Sequence, residues 1–177
     1  MSTTFIIGGA RSGKSRYAVA TQRADGAVAF IATAEARDAD MARRIARHRA
    51  ERPRDWQTIE APHDLAGALD DLKAGVDAAV IDCLTLWVAN RQLRGDGDAA
   101  ILDAARELAG RIRTSPIDLT LVSNEVGEGV HPPTADGMRF RDLLGTTNQL
   151  IAAACDTVVL MVAGIPVTVK PRPADVP

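Results

Sequence analysis

The sequence predicts an α/β fold: one domain built on a mostly parallel sheet with helices on both faces. Three observations predict it. Short, continuous apolar runs alternate with longer stretches of helical periodicity, and such runs are strands buried on both sides. The 177 residues suit one domain with a proper core, and no internal repeat or compositional break divides them. The apolar share is 46% and the aromatic share only 3%, so the core has to be built mainly from Ala, Val, Leu and Ile.

The elements run in order along the chain. TFII is a buried strand that leads straight into GGARSGKS, and SRYAVATQRA then reads as a helix. AVAFIAT is a second buried strand. DADMARRIARHRAE is an arginine-rich helix, with Asp38 or Asp40 available as N-cap and Pro53 soon after its end. WQTIEA is a short strand, and DLAGALDDLKAG an amphipathic helix stopped at Gly75. DAAVIDCL is a third buried strand ending at Asp82, followed by the helix TLWVANRQL and the loop RGDGD. AAILDAARELAGRIRT is a helix that Pro116 separates from the next strand, IDLTLVSNEVG. GEGVHPPTADG is a Gly/Pro-rich loop, MRFRDLLGTTNQLIAAAC a helix, TVVLMVAG a last core strand and IPVTVK a short edge strand. Residues 1–170 form the expected domain, and the proline-rich PRPADVP at 171–177 a loose tail.

Bulk properties exclude several classes. A net charge of −2 gives no global field to recruit nucleic acid or an acidic membrane. No run approaches the ~20 apolar residues of a membrane span, and the N-terminus lacks the pattern of a signal peptide. Cys83 and Cys155 sit in apolar contexts with no metal-like spacing, which suits reduced core thiols and a cytoplasmic protein.

GGARSGKS contains Gly8-x-x-x-x-Gly13-Lys14-Ser15, the full phosphate-loop pattern, with an apolar strand before it and a helix after. Each part has a physical reason. Glycines let the backbone curl until its N–H groups face phosphate oxygens. Lys14 reaches the outer phosphates, and the Ser15 hydroxyl can ligate Mg2+. Asp82 closes the strand AAVID, where a metal-binding carboxylate would stand beside the loop; N-capping of the next helix is the alternative, and both can hold. A nucleoside triphosphate with Mg2+ is therefore the expected ligand. The guanine-reading N-K-x-D of switch GTPases is absent, which leaves a small kinase or a nucleotidyltransferase.

Residues 41–56, MARRIARHRAERPRDW, hold six arginines around His48. On a helix, Arg44, His48, Glu51 and Arg52 share one face, flanked by Arg43, Arg47 and Arg54. Neighbouring cations disfavour a second positive charge, so a neutral, nucleophilic imidazole is expected there. Guanidiniums clamp phosphates. Histidine and arginines beside a triphosphate site thus suit covalent nucleotidyl transfer. From the residues alone, a structural or solvent-facing histidine explains the pattern as well, and a basic helix on an RNA binder is a further alternative. Near-neutral charge and the lack of interleaved aromatics speak against RNA. Zinc is disfavoured, since His48 and Glu51 supply two ligands at most, and His63 and His131 have no fixed spacing to them.

The chain resembles the bifunctional adenosylcobinamide kinase / adenosylcobinamide-phosphate guanylyltransferase family of cobalamin biosynthesis. The resemblance runs over residues 5–170 and rests on GGARSGKSRYA, FIATAEARDADMARRIARHRAERPRDWQTIEAP, VIDCLTLWVAN, LVSNEVGEGVHP and RFRDLLGTTNQLIAAACDTVVLMVAGIPV. Its most specific stretch is R-I-x-x-H-R-x-x-R-P-x-x-W. The resemblance implies a P-loop, RecA-like sheet and a homotrimer. It implies phosphorylation of the aminopropanol hydroxyl of adenosylcobinamide by ATP or GTP, then GMP transfer from GTP onto that phosphate. The guanylylated histidine of the family falls on His48. Its nucleotide contacts fall on Gly8, Gly9, Ala10, Arg11, Ser12, Gly13, Lys14 and Ser15, on Ala32, Thr33 and Ala34, on Arg49, Ala50, Glu51 and Arg52, and on Glu60 and Asp82. For the kinase base, Asp82 is the first candidate and Glu60 the second. A kinase with another acceptor and no GMP transfer is the alternative to both activities. The loop at 126–137 is a candidate lining for the corrinoid.

Overall fold

In the computed structural model, which describes residues 1–23, 26–50 and 52–170, the apolar runs become strands of one seven-stranded sheet. The elements are β1 Thr3–Gly8, α1 Lys14–Ala20, β2 Val28–Ala32, α2 Ala39–Ala50, β3 Gln57–Glu60, α3 Leu65–Asp70 and β4 Ala78–Asp82. They continue with α4 Leu84–Leu93, α5 Asp98–Arg113, β5 Asp118–Val122, α6 Ala135–Ala154, β6 Thr157–Val162 and β7 Ile165–Lys170. The strand order is β3-β2-β4-β5-β1-β6-β7. Every pairing from β3 to β6 is parallel, and only β7 runs antiparallel, paired to β6. β5 lies between β1, which carries the glycine-rich loop, and β4, which ends in Asp82; this agrees with the expected RecA-like P-loop sheet.

The two faces are covered unequally. On one, Phe5, Ile31, Ile81 and Leu121 meet Trp87, Leu108, Ile112 and Ile151 from helices α4, α5 and α6. On the other, Ile6, Phe30, Val80, Val122 and Met161 meet Ala18 of the seven-residue α1, with Tyr17 and Trp56 at the margin. α2 buries no residue at all. Its composition explains this: between Ala39 and Ala50 only Met41 and Ile45 are large apolar side chains, too few to build a core-facing stripe.

Three boundaries differ from expectation or sharpen it. Asp38 caps α2, accepting from the Met41 N–H at 2.7 Å. α3 ends at Asp70, short of Gly75. Asp70 and Asp71 put two negative charges at its carbonyl end, where the helix dipole disfavours them. α6 starts at Ala135, inside the expected loop, because Thr134 caps it by accepting from Gly137 N–H at 3.1 Å. The 171–177 tail lies outside the described residues.

Candidate active site

β1 carries the glycine-rich loop to the carboxyl edge of the sheet. Gly8 has φ +154°, and a Cβ there would stand 2.5 Å from the carbonyl oxygen of Met161, so the strand can leave the sheet only at a glycine. Gly13, at φ +93°, turns the chain into α1. The turn of the β6–β7 hairpin braces the loop from outside, Gly164 N–H donating to the Ser12 carbonyl at 3.0 Å. Nothing in the motif signals this contact.

Lys14 is 7% exposed. Its Nζ donates to the carbonyls of Gly8 at 2.8 Å and Gly9 at 2.6 Å. Burial lowers its pKa, opposed by Cys83 and Asp82. The ammonium is thus held over the loop by two bonds that an arriving phosphate can replace.

Asp82 joins the sequence motifs. Burial pushes its carboxyl above the ordinary carboxylate range, against the pull of a hydrogen bond from Ser15 and the fields of His48, Arg52 and Lys14. One carboxyl is therefore in electrostatic contact with the lysine and serine of the glycine-rich loop and with two residues of the arginine-rich segment. The oxygen pair of Ser15 and Asp82 fits Mg2+, a hard cation that takes one or two protein oxygens and completes its shell with water and phosphate.

This placement sets a testable trade-off. An aspartate with a raised folded pKa costs stability as pH climbs above its unfolded value near 3.9, and the cost is complete above the folded value. Asp82→Asn removes that cost at neutral pH. The nucleotide-free variant is expected to melt at or above the wild-type temperature, while the phosphoryl transfer expected of the glycine-rich loop falls by roughly 10²-fold. A thermal melt paired with a phosphoryl-transfer assay checks both; a lower melting temperature contradicts the burial argument.

The arginine-rich segment divides. His48 is partly buried near the end of α2. Arg43 pairs with Asp40, and Arg44, Arg47, Arg49, Ala50 and Arg54 are exposed. Arg52 does not continue the helical face. It lies beyond α2, in a turn whose N–H reaches the Arg49 carbonyl at 3.4 Å. From there its guanidinium stacks over Phe30, 3.4 Å from the ring centroid, with Trp56 packed on the same ring. Burial lowers the Arg52 pKa, with Asp82 opposing and Arg49 adding to the fall. Glu51 lies outside the described residues.

Ala32 ends β2 at the same edge, and Thr33 and Ala34 follow it. Thr33 is fully buried, its hydroxyl donating to the Cys83 carbonyl and accepting from the Cys83 N–H, both at 2.8 Å. The hydroxyl therefore ties the end of β2 to the end of β4, and the Thr33 N–H adds to the tie by donating to the Asp82 carbonyl at 3.2 Å. Asn90 completes the tie, donating to the carbonyls of Thr33 at 2.7 Å and Pro62 at 3.3 Å. Sequence reasoning passed over Asn90. Its signal was a polar residue in line with Leu84 and Trp87 on the buried face of α4. Glu60 ends the outer strand β3 and is exposed, three strands from β5 and four from β1.

Neither cysteine is a nucleophile at neutral pH. Burial, followed by Asp82, pushes the Cys83 thiol up to about 12, and burial pushes Cys155 up to about 12. Both are free thiols. His131 meets Arg141, away from these groups. No helix among the described residues is long and apolar enough to cross a membrane.

Comparison with known proteins agrees with the arrangement. The family described as cobinamide kinase / cobinamide phosphate guanyltransferase matches residues 4–169. A bifunctional adenosylcobalamin biosynthesis protein, CobP, of Pseudomonas aeruginosa is 45% identical over 175 residues, covering 95% of this chain and 97% of the relative. The bifunctional adenosylcobalamin biosynthesis proteins CobU of Salmonella typhimurium and Escherichia coli are 38% and 35% identical, each over 93% of this chain and 98% of the relative. A match from the first strand to the last, with relatives this similar over nearly the whole of both chains, leaves one conclusion: the chain belongs to the cobinamide kinase / cobinamide phosphate guanyltransferase family.

Proposed function

We propose that the chain phosphorylates the aminopropanol hydroxyl of adenosylcobinamide with ATP or GTP and then transfers GMP from GTP to the new phosphate. What supports this reading is the placement of Asp82, which accepts a hydrogen bond from Ser15 and lies within the fields of Lys14, Arg52 and His48. It draws a histidine into the neighbourhood of a triphosphate loop, where an ordinary small-molecule kinase needs none.

In the transfer, a ring nitrogen of His48 attacks the α-phosphorus of GTP. The bond to the bridging oxygen breaks, and pyrophosphate leaves against Lys14 and the N–H groups of the glycine-rich loop. A phosphate oxygen of adenosylcobinamide-phosphate then displaces His48, giving adenosylcobinamide-GDP. Arg52, fixed on Phe30, and the exposed Arg49 are the guanidiniums suited to hold the α-phosphate through both displacements. Ala50, Glu51 and Glu60 complete the nucleotide contacts in this reading. Mg2+ held by Ser15 and Asp82 would neutralise phosphate charge. Lys14 exchanges its two carbonyl partners for phosphate oxygens as the nucleotide enters. A homotrimer is the state the resemblance implies, with the corrinoid as small-molecule partner; composition and charge suggest a cytoplasmic protein with no nucleic-acid partner.

The test supplies purified protein with Mg2+, GTP and adenosylcobinamide-phosphate and monitors pyrophosphate and adenosylcobinamide-GDP. Formation of both supports the reading. Kinase turnover of adenosylcobinamide without any GMP transfer would reduce the chain to a kinase.

A further inference from the structure

β5 separates the strand of the glycine-rich loop from the strand of Asp82, so the residues at its carboxyl end stand between the two. Those residues are Ser123, Asn124 and Glu125. The backbone keeps its pairing with β1 beyond the end of β5: Ser123 N–H donates to Ile6 at 2.9 Å and Glu125 N–H to Gly8 at 3.1 Å. Side chains therefore go on alternating. Leu119 and Leu121 belong to the core under α4, α5 and α6, and Ser123 bonds toward α6, its hydroxyl donating to Asn148 at 2.7 Å. Val122 belongs to the core on the α1 side, as does Val80, two residues before Asp82. Asn124 continues that side, two residues past the position where Val122 is in register with both Ile6 and Asp82.

A buried polar network holds this segment. Thr85, Ser123 and Asn148 are all at least nine-tenths buried. Thr85 Oγ1 accepts from Asn124 N–H at 2.8 Å, and Asn148 donates to the Asn124 carbonyl at 3.1 Å. The network fixes the Asn124 backbone from both ends. Among the described residues the carboxamide itself has no hydrogen-bond partner, and it is only partly buried. Ordering a backbone this firmly with groups that are costly to bury, while the side chain it carries is left unpartnered, suits a group held ready for a ligand.

We propose that Asn124 is a catalytic residue of the phosphoryl-transfer half of the reaction. Its amide N–H2 would donate to an oxygen of the transferring terminal phosphate, and its carbonyl would accept from the attacking hydroxyl, aligning acceptor, phosphorus and leaving oxygen. The O–P bond to the acceptor forms, the bond from the terminal phosphorus to the bridging oxygen breaks, and the hydroxyl proton leaves to solvent or a carboxylate, with nucleoside diphosphate as product. Thr85 and Asn148 are positioning residues in this scheme. The proposal rests on the assignment of the glycine-rich loop and Asp82 as the triphosphate site.

The experiment measures kinase kcat and KM for ATP, and covalent labelling of His48 by GTP, in Asn124→Ala, Asn124→Asp and Lys14→Ala. Asn124→Ala leaves the backbone bonds in place and is expected to lower kinase kcat by roughly 10²-fold, with KM for ATP within about threefold. Labelling of His48, which breaks the bond at the α-phosphorus, stays within about threefold. The isosteric Asn124→Asp sets a negative oxygen against the phosphate and should lose more kinase activity than Ala, which keeps the test decisive if the alanine variant fails to fold. Kinase activity within threefold of wild type in both variants, or an equal loss of both activities, overturns the proposal. Lys14→Ala separates the two levels. Loss of both activities upholds the triphosphate site whatever Asn124 does, whereas retention of both removes that site and the role of Asn124 with it.

Discussion

Replacing His48 by alanine is expected to lower GMP transfer by at least about 10³-fold and to leave corrinoid phosphorylation within about threefold of wild type. The first figure is the order expected when the atom that forms the covalent intermediate is removed. The second comes from position. α2 buries no residue, so truncating a side chain near its end leaves the core intact. The substitution lies on a partly exposed surface, and its cost in stability should stay within about 0.5 kcal/mol. The fields of Lys14 and Arg52 and the Ser15 hydrogen bond still reach Asp82 in the variant, so the groups that serve phosphoryl transfer stay together. Paired assays with adenosylcobinamide and with adenosylcobinamide-phosphate check both halves. An equal fall in the two would show that His48 supports the site as a whole rather than acting in one step.

Lys14→Ala is expected to lower both activities, each by roughly 10² to 10³-fold. Both reactions expel a phosphate-bearing leaving group, nucleoside diphosphate in one and pyrophosphate in the other, and in the proposed scheme the Lys14 ammonium faces it in each. The fold should survive. The lysine is buried at a desolvation cost that lowers its pKa, and alanine relieves that cost while leaving the carbonyls of Gly8 and Gly9 beside an open loop that water can reach. Unchanged circular dichroism with the loss of both activities is the predicted pair of observations. Loss of one activity alone would mean that two separate phosphate sites exist.

Much of the fold was legible because its strands are continuous apolar runs and its first loop has a fixed pattern. β1, β2, β4, β5 and β6 all came from that signal, and Gly8 to Ser15 from spacing alone. IPVTVK read as a short edge strand, and it forms β7, antiparallel to β6 at the sheet's edge. The hidden part depends on strand order. A single chain does not reveal that β5 lies between β1 and β4, so Asn124 had no visible reason to matter. The same holds for Gly164, which braces Ser12 across about 150 residues of chain, and for Asn90, which ties the ends of β2 and β3. Arg52 misled in another way. Helical spacing put it on the His48 face, but α2 stops at Ala50, and the aromatic pair Phe30 and Trp56 draws the guanidinium inward instead.

The central claim is that a histidine on an exposed helix and a phosphate loop on the sheet edge form one nucleotidyl-transfer site. Incubation of the protein with Mg2+ and GTP labelled at the α-phosphate tests it most directly. The predicted result is label bound to protein, acid-labile and alkali-stable as a phosphoramidate is, mapping to His48, absent from His48→Ala and released by adenosylcobinamide-phosphate. Label that persists in His48→Ala, or a wild-type protein that transfers GMP without ever carrying it, would contradict the claim.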